Sequence, residues 1–337
     1  MERKEFILES FDGFGLSVKI FETQTPNAAI QVVHGMSEHQ ARYEYFAEKL
    51  TKNGYAVITS DLRGHGGSIG EDGLRGHFGN KDGADTLIRD QAVINTFIKE
   101  KFPQLPVFMF AHSMGSLIAR NYIQNYDSTI QKLILSGAPC YRHGCGFACV
   151  LCKTIILFSG ETGCNRLIKS FAPGGRKGEL QNEWLSYNKQ NVEAYNEDAM
   201  CGFPFTNAGY LTLYELDRRL HQYENYKLGN PALDILFLAG EDDPVTGGEK
   251  GLKDSSRSLR KAGYKNIAVR TYSRMRHEIL NDFIFRPGDR EMECIIIDKS
   301  KRNCTFFERI LNRYIAIYAI KTIQRNVDFV VMEDNSL

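Results

Sequence analysis

No uncharged apolar run in this 337-residue chain approaches the roughly 18 residues needed to span a bilayer. Nor does an apolar stretch follow the charged opening Met1-Glu2-Arg3-Lys4-Glu5, so no signal peptide is expected and the expected location is cytoplasmic. Charge of one sign is also missing: 42 Lys and Arg face 41 Asp and Glu, a formal net charge of +1. Without a global field to attract a polyanion, nucleic acid is not an expected partner. Cysteine is sparse for a disulfide scaffold, with eight in the whole chain. Cys140, Cys145, Cys149 and Cys152 cluster, but without the paired CxxC spacing of structural zinc. The segment Phe147-Ala148-Cys149-Val150-Leu151-Cys152 reads instead as the apolar face of a helix, where free cysteine acts as a small hydrophobe.

What is present is an ordinary globular composition, 42% hydrophobic and 25% charged, in a length that suits one large α/β domain with an insertion. Short β-branched runs recur at Ile30-Gln31-Val32-Val33, Ala56-Val57-Ile58-Thr59, Val107-Phe108-Met109-Phe110, Lys132 to Ser136, Ile235 to Leu238 and Ile267 to Tyr272. Helical periodicity separates them; in Tyr43 to Asn53 it places Tyr43, Phe46, Ala47 and Leu50 on one face. Strand alternating with helix predicts a mostly parallel sheet covered on both faces. Lys4 to Glu22 predicts an edge hairpin turning at Asp12-Gly13. Between about Pro139 and Asn230 the alternation stops, leaving amphipathic helices without a strand. The expected organisation is therefore a core in two parts, 1–138 and 231–298, an inserted helical cap over 139–230, and a C-terminal helical extension over 299–337.

The chemistry is concentrated around Phe110-Ala111-His112-Ser113-Met114-Gly115. An apolar strand enters a turn of small residues, and the helix-like Leu117 to Ile123 leaves it. That is the setting of a nucleophile elbow, with Ala111 and Gly115 at the two positions that must be small and Ala111 departing from the commoner glycine. A serine hydroxyl needs a base to take its proton and an acid to orient that base. On a sheet bearing such an elbow the chain order is serine, acid, histidine. His277 is the single histidine after the late strand at 235–238, which makes it the expected base. The acid lies in Glu241-Asp242-Asp243-Pro244; Asp243, just before the proline, is favoured over Asp242. The oxyanion donors are expected to be the backbone N–H groups of Met114 and of Met36, in the loop His34-Gly35-Met36-Ser37-Glu38-His39.

Two other groupings invite misreading. His34, Glu38 and His39 miss the inverted zincin spacing and lie in a loop, so a metal is discounted there. The glycine-rich run around His65 lacks the lysine and hydroxyl residue of a P-loop and reads as structural. His112 is expected to point away from the site and pack.

With these motifs assembled, and with Asp61-Leu62-Arg63-Gly64-His65-Gly66-Gly67-Ser68 between them, the chain resembles the monoacylglycerol lipase and lysophospholipase branch of the α/β-hydrolases, also filed as serine aminopeptidase-like hydrolases. The resemblance covers about residues 5 to 285. It extends to cap segments around Glu183-Trp184-Leu185-Ser186 and Asp198 to Phe205. It implies an α/β-hydrolase fold, no metal or organic cofactor, and two-step hydrolysis of a small-molecule fatty-acyl ester. Peripheral membrane contact is a further expectation, through the cap helix around Phe147 to Phe158 or through the C-terminal helix.

An aminopeptidase or amidase of the same fold is the alternative activity, requiring a cap carboxylate such as Glu161, Glu179, Glu183, Glu193 or Asp198 to hold an amine. A catalytically silent binding protein is the alternative class. The chain runs 60 residues beyond His277, where Phe307, Ile310, Leu311, Tyr314, Ile317 and Tyr318 recur at helical spacing among basic residues. Such a helix either lies on an anionic membrane or packs on its own domain.

Overall fold

The computed structural model describes residues 2–79, 82–172 and 181–284. The extension over 299–337 lies outside the described residues, as do Glu179 and the end of the second core part. The chain opens with strands β1 (Glu2–Glu9) and β2 (Gly15–Glu22), an antiparallel hairpin in which Glu9 faces Gly15. There follow β3 (Ala28–Val33), α1 (Glu44–Lys52), β4 (Tyr55–Ser60), α2 (Gly83–Lys101), β5 (Val107–His112), α3 (Met114–Tyr126) and β6 (Lys132–Ser136). Four helices come next: α4 (Cys145–Ser159), α5 (Arg166–Ser170), α6 (Lys189–Glu197) and α7 (Asn207–Arg218). The sheet resumes with β7 (Asp234–Gly240), α8 (Gly248–Lys261), β8 (Ile267–Tyr272) and α9 (Ile279–Ile284).

The eight strands form one sheet in the order β1-β2-β4-β3-β5-β6-β7-β8, parallel from β4 to β8. Strands β3, β4 and β5 are buried at every position, as expected of strands covered on both faces. The polar residue within β3, Gln31, is satisfied by Gln91 and Asn95 of α2, so its burial leaves no orphaned amide. Helix α1 turns Phe46, Ala47 and Leu50 inward, while Tyr43 ends a short 3₁₀ turn before it.

The insertion has no strand among its described residues; its helix α7 packs on α4 within the insertion and on α2 and α3 of the core. Insertion and sheet belong to one compact unit. On α4 the inward face is Cys145, Ala148, Cys149 and Cys152; the three cysteines are free thiols, in agreement with cysteine acting as a small hydrophobe.

The placement of β3 sets up the site. Its neighbours β4 and β5 lie on opposite sides of it. The loops leaving the carboxyl ends of β3 and β5 therefore part, opening the crevice where ligands of such sheets bind.

Candidate active site

Ser113 occupies the turn between β5 and α3 with φ 51° and ψ −120°, a backbone conformation that non-glycine residues adopt only when their surroundings enforce it. Its N–H donates to Ser136 O at 2.9 Å, and Ser113 O accepts from the N–H and hydroxyl of Ser116. Gly115 explains the small residue two positions on: a Cβ there would run into the carbonyl oxygens of Val33 and His34. The strain aims the Ser113 hydroxyl out of the sheet and leaves the N-terminus of α3 behind it, where the helix dipole favours negative charge.

The hydroxyl meets His277 Nε2 at 2.8 Å, and His277 Nδ1 meets Asp243 Oδ2 at 2.9 Å. Asp243 is buried at the end of β7, its other oxygen accepting the Val245 N–H at 2.8 Å. The neighbouring Asp242 instead accepts the exposed hydroxyl of Tyr187 at 2.9 Å, so it is Asp243 that faces the histidine. Burial opposes a charge on His277, but Asp243, then Glu278 and Glu38, outweigh it and raise the imidazole above its ordinary pKa. A base so poised takes a proton more readily than a free imidazole does.

Met36 and Met114 both line the cavity in front of Ser113, and no acceptor among the described residues takes either N–H. The loop carrying Met36 is held in shape by its neighbours. Glu38 accepts the Gly35 N–H and the Tyr43 hydroxyl. His34 Nε2 accepts the Leu62 N–H at 2.9 Å, and His65 Nε2 accepts the Ser37 N–H at 3.3 Å. Burial pushes the pKa of both histidines down, which keeps them neutral and able to accept. The glycine-rich run around His65 is therefore structural, as its sequence suggests. Ser37 itself has φ 53°, so the loop turns back toward the core just after Met36.

His112 corrects an expectation. Rather than pointing away, it lines the cavity and packs on His277, with ring centroids 4.7 Å apart. Burial, then the nearby His277, lowers its pKa to about 4, so it presents a neutral ring. His112 ends β5 directly before the turn that seats Ser113, and its lateral placement beside His277 is something residue spacing does not convey.

Two further groups have no signature in the sequence. Arg42 bridges Glu38, in the loop that carries Met36, and Glu278, the residue after His277, and Asn191 of α6 donates to Glu278 at 2.7 Å. Gly137, after β6, has φ 56° and lies so close to His277 that a Cβ would stand 2.9 Å from Nδ1. Only distance in the chain hides them; each is an ordinary residue until the fold brings it to the histidine.

The cavity has a volume of about 740 Å³. Its wall includes Leu117, Trp184, Leu185, Phe203, Leu213 and Val245, drawn from both the core and the insertion. Glu161, Glu183, Glu193 and Asp198 are absent from that wall, and Glu183 pairs with Arg276 at 3.3 Å.

A family model described as serine aminopeptidase, S33, matches residues 24–283. Human monoglyceride lipase is 30% identical over 184 residues, which are 53% of this chain and 54% of that protein. The chain thus spans about half the length of the mammalian relatives it matches. The monoacylglycerol lipase of Mycolicibacterium smegmatis is 24% identical over 281 residues, 81% of this chain and 90% of that protein. Among solved structures, a carboxyl esterase from Bacillus coagulans superposes with a TM-score of 0.76 at 26% identity, covering 84% of this chain and 93% of that one. The sheet order, the strained serine and the family match converge on one assignment: the chain belongs to the serine aminopeptidase S33 family and has the α/β-hydrolase fold.

Proposed function

We propose that this protein hydrolyses carboxylic esters of fatty acids, of the monoacylglycerol or lysophospholipid class, through an acyl-enzyme on Ser113. The observation that carries this reading is the unbroken Ser113–His277–Asp243 relay opening into a cavity whose wall includes Leu117, Trp184, Leu185, Phe203 and Leu213. In the proposed reaction His277 Nε2 takes the hydroxyl proton as Ser113 Oγ bonds to the acyl carbon. The carbonyl oxygen gains the negative charge, and the N–H groups of Met36 and Met114 receive it. The C–O bond then breaks, His277 returns its proton to the departing alcohol, and water repeats the sequence to free the acid. The relatives named as monoglyceride or monoacylglycerol lipases support the substrate class.

Among the described residues the cavity wall offers an amidase no free carboxylate: Glu38 and Glu278 are engaged by Arg42, so neither is free to grip a substrate amine. We further propose that residues 139–230 act as the cap over the acyl chain. The outward face of α4, with Phe147, Val150, Leu157 and Phe158 exposed, would rest on a lipid surface. No helix among the described residues is long and apolar enough to cross a membrane.

The test is labelling by a fluorescent fluorophosphonate, with hydrolysis of monoacylglycerol, lysophospholipid and aminoacyl anilides measured beside it. Labelling is expected in the wild type, lost in Ser113→Ala and slowed in His277→Ala and Asp243→Asn. A folded wild type that resists labelling would overturn the assignment of Ser113, and preference for anilides would overturn the ester class.

A further inference from the structure

Outside the triad, His39, Asp198 and Cys201 bring an imidazole, a carboxylate and a thiol together. Their ligand-capable atoms all lie within 4.8 Å of one another, and His39 Nε2 is 2.7 Å from Asp198 Oδ2. Ester cleavage as derived above uses none of them. We propose that these three residues form a binding site for a divalent cation of the zinc class. One ligand comes from the loop after β3 and two come from the turn after α6.

The donor set fits that class. Nitrogen, thiolate sulfur and carboxylate oxygen together select zinc-like ions over magnesium or calcium, which prefer oxygen alone. Zinc bonds of about 2.0–2.3 Å place tetrahedral ligand atoms roughly 3.2–3.8 Å apart. The histidine–aspartate gap of 2.7 Å must therefore widen, and since all three atoms already lie within 4.8 Å of one another the adjustments are about 1 Å or less.

The turn between the two insertion ligands is already set. Asp198 Oδ1 accepts the Met200 N–H at 2.8 Å, and the Cys201 N–H donates to Asp198 O at 2.9 Å. This leaves Oδ2 facing His39 with Cys201 alongside. Asp198 keeps 29% of its side chain exposed against 7% for His39, which gives an ion a route in and a place for water as fourth ligand.

The local field points the same way. Asp198, Glu38 and Glu278 surround the spot, with Arg42 the guanidinium among them. A dication bound there would displace the thiol proton and offset the excess of carboxylates over the single guanidinium.

The site also spans a seam. Ser37 O accepts from Gly202 N–H at 2.9 Å and from the Tyr195 hydroxyl at 3.0 Å, and the Ser37 hydroxyl donates to Phe203 O at 2.7 Å. A metal on His39, Asp198 and Cys201 would staple the insertion to the loop that carries Met36. The ligands lie about 160 residues apart in the chain, so the run from His34 to His39 on its own shows no metal spacing.

The full chain, freed of metal, would be titrated with Co²⁺. One equivalent is expected to give a thiolate-to-cobalt band in the near ultraviolet and intense visible bands of four-coordinate cobalt, all displaced by Zn²⁺. Cys201→Ser should abolish the near-ultraviolet band, and Asp198→Asn and His39→Gln should weaken binding by about tenfold or more. Seven other cysteines could also bind cobalt, so a band of unchanged strength in folded Cys201→Ser overturns the proposal. So does a wild type that gives no band. Should His39→Gln fail to fold, the near-isosteric Cys201→Ser decides alone, read also by loss of the zinc-dependent rise in Tm. Ser113→Ala should bind the ion as the wild type does, which separates this site from ester cleavage.

Discussion

Arg42 holds Glu278, the neighbour of His277, through both terminal guanidinium nitrogens at 2.6 and 2.7 Å. The same guanidinium reaches Glu38 at 2.9 Å, so one cation separates two buried carboxylates. Burial works against their ionisation, yet Arg42 wins and holds Glu278 at about 2. Removing one partner of a buried pair typically costs about 3–5 kcal/mol. Arg42→Met is expected to lose stability on that scale in urea unfolding, and Arg42→Met/Glu278→Gln to recover part of it. The sign with pH follows: a depressed carboxylate stabilises above its unfolded pKa near 4.3, and that stability drains as pH falls toward 2. Arg42→Met should flatten this acid slope. A variant as stable as the wild type would show that the bridge is idle.

The raised pKa of His277 gives a kinetic prediction. A base must be neutral to act, so the acid limb of kcat/KM should fall above the ordinary imidazole value near 6.5. Asp243→Asn removes the leading raising influence, and the limb should move to lower pH while turnover falls by about 10⁴. Asp242→Asn, which loses only an exposed bond to Tyr187, should leave both unchanged. Equal losses in the two variants would reopen the choice of acid.

The pairing of His277 with Asp243 and not Asp242 was legible in the chain because it turned on local features. Pro244 directly follows Asp243 in the turn beyond β7, and His277 is the single histidine that follows. The elbow was equally legible, since a strained turn demands small residues at fixed offsets. The alternation of β-branched runs and helical periods likewise gave the sheet and the strand-free insertion. What sequence could not give is lateral adjacency. Glu278 meets Arg42 across 236 residues, and Asp198 meets His39 across 159. His112 was misread for a related reason, because its facing depends on how β5 sits beside His277 and not on its own neighbours.

Gly137 tests how tightly the histidine is seated. Its φ of 56° already disfavours any side chain, and a Cβ would stand 2.9 Å from His277 Nδ1 and 3.0 Å from Cε1. Gly137→Ala must therefore displace the ring. A shift of about 1 Å costs on the order of 10² in rate, so kcat for a soluble ester should fall by about that factor. KM should hold, because Gly137 does not line the cavity wall. An unchanged kcat in a folded variant would mean the loop yields instead of the ring.

The lipid contact proposed for the exposed face of α4 predicts that cleavage and access to lipid can be separated there. Leu157 is 82% exposed and Phe158 88%, an unfavourable arrangement in water unless something apolar covers it. Fully burying such a side chain is worth about 1.5–3 kcal/mol. Two of them inserted by even a third of their surface would contribute roughly 1–2 kcal/mol, on the order of tenfold in partitioning. Leu157→Ser/Phe158→Ser should accordingly bind zwitterionic vesicles about tenfold more weakly in cosedimentation. Its hydrolysis of a short, water-soluble ester should be unaltered, because neither side chain lines the cavity. Equal vesicle binding would rule out this face as the lipid contact, whereas equal losses on both assays would assign it to holding the insertion in place.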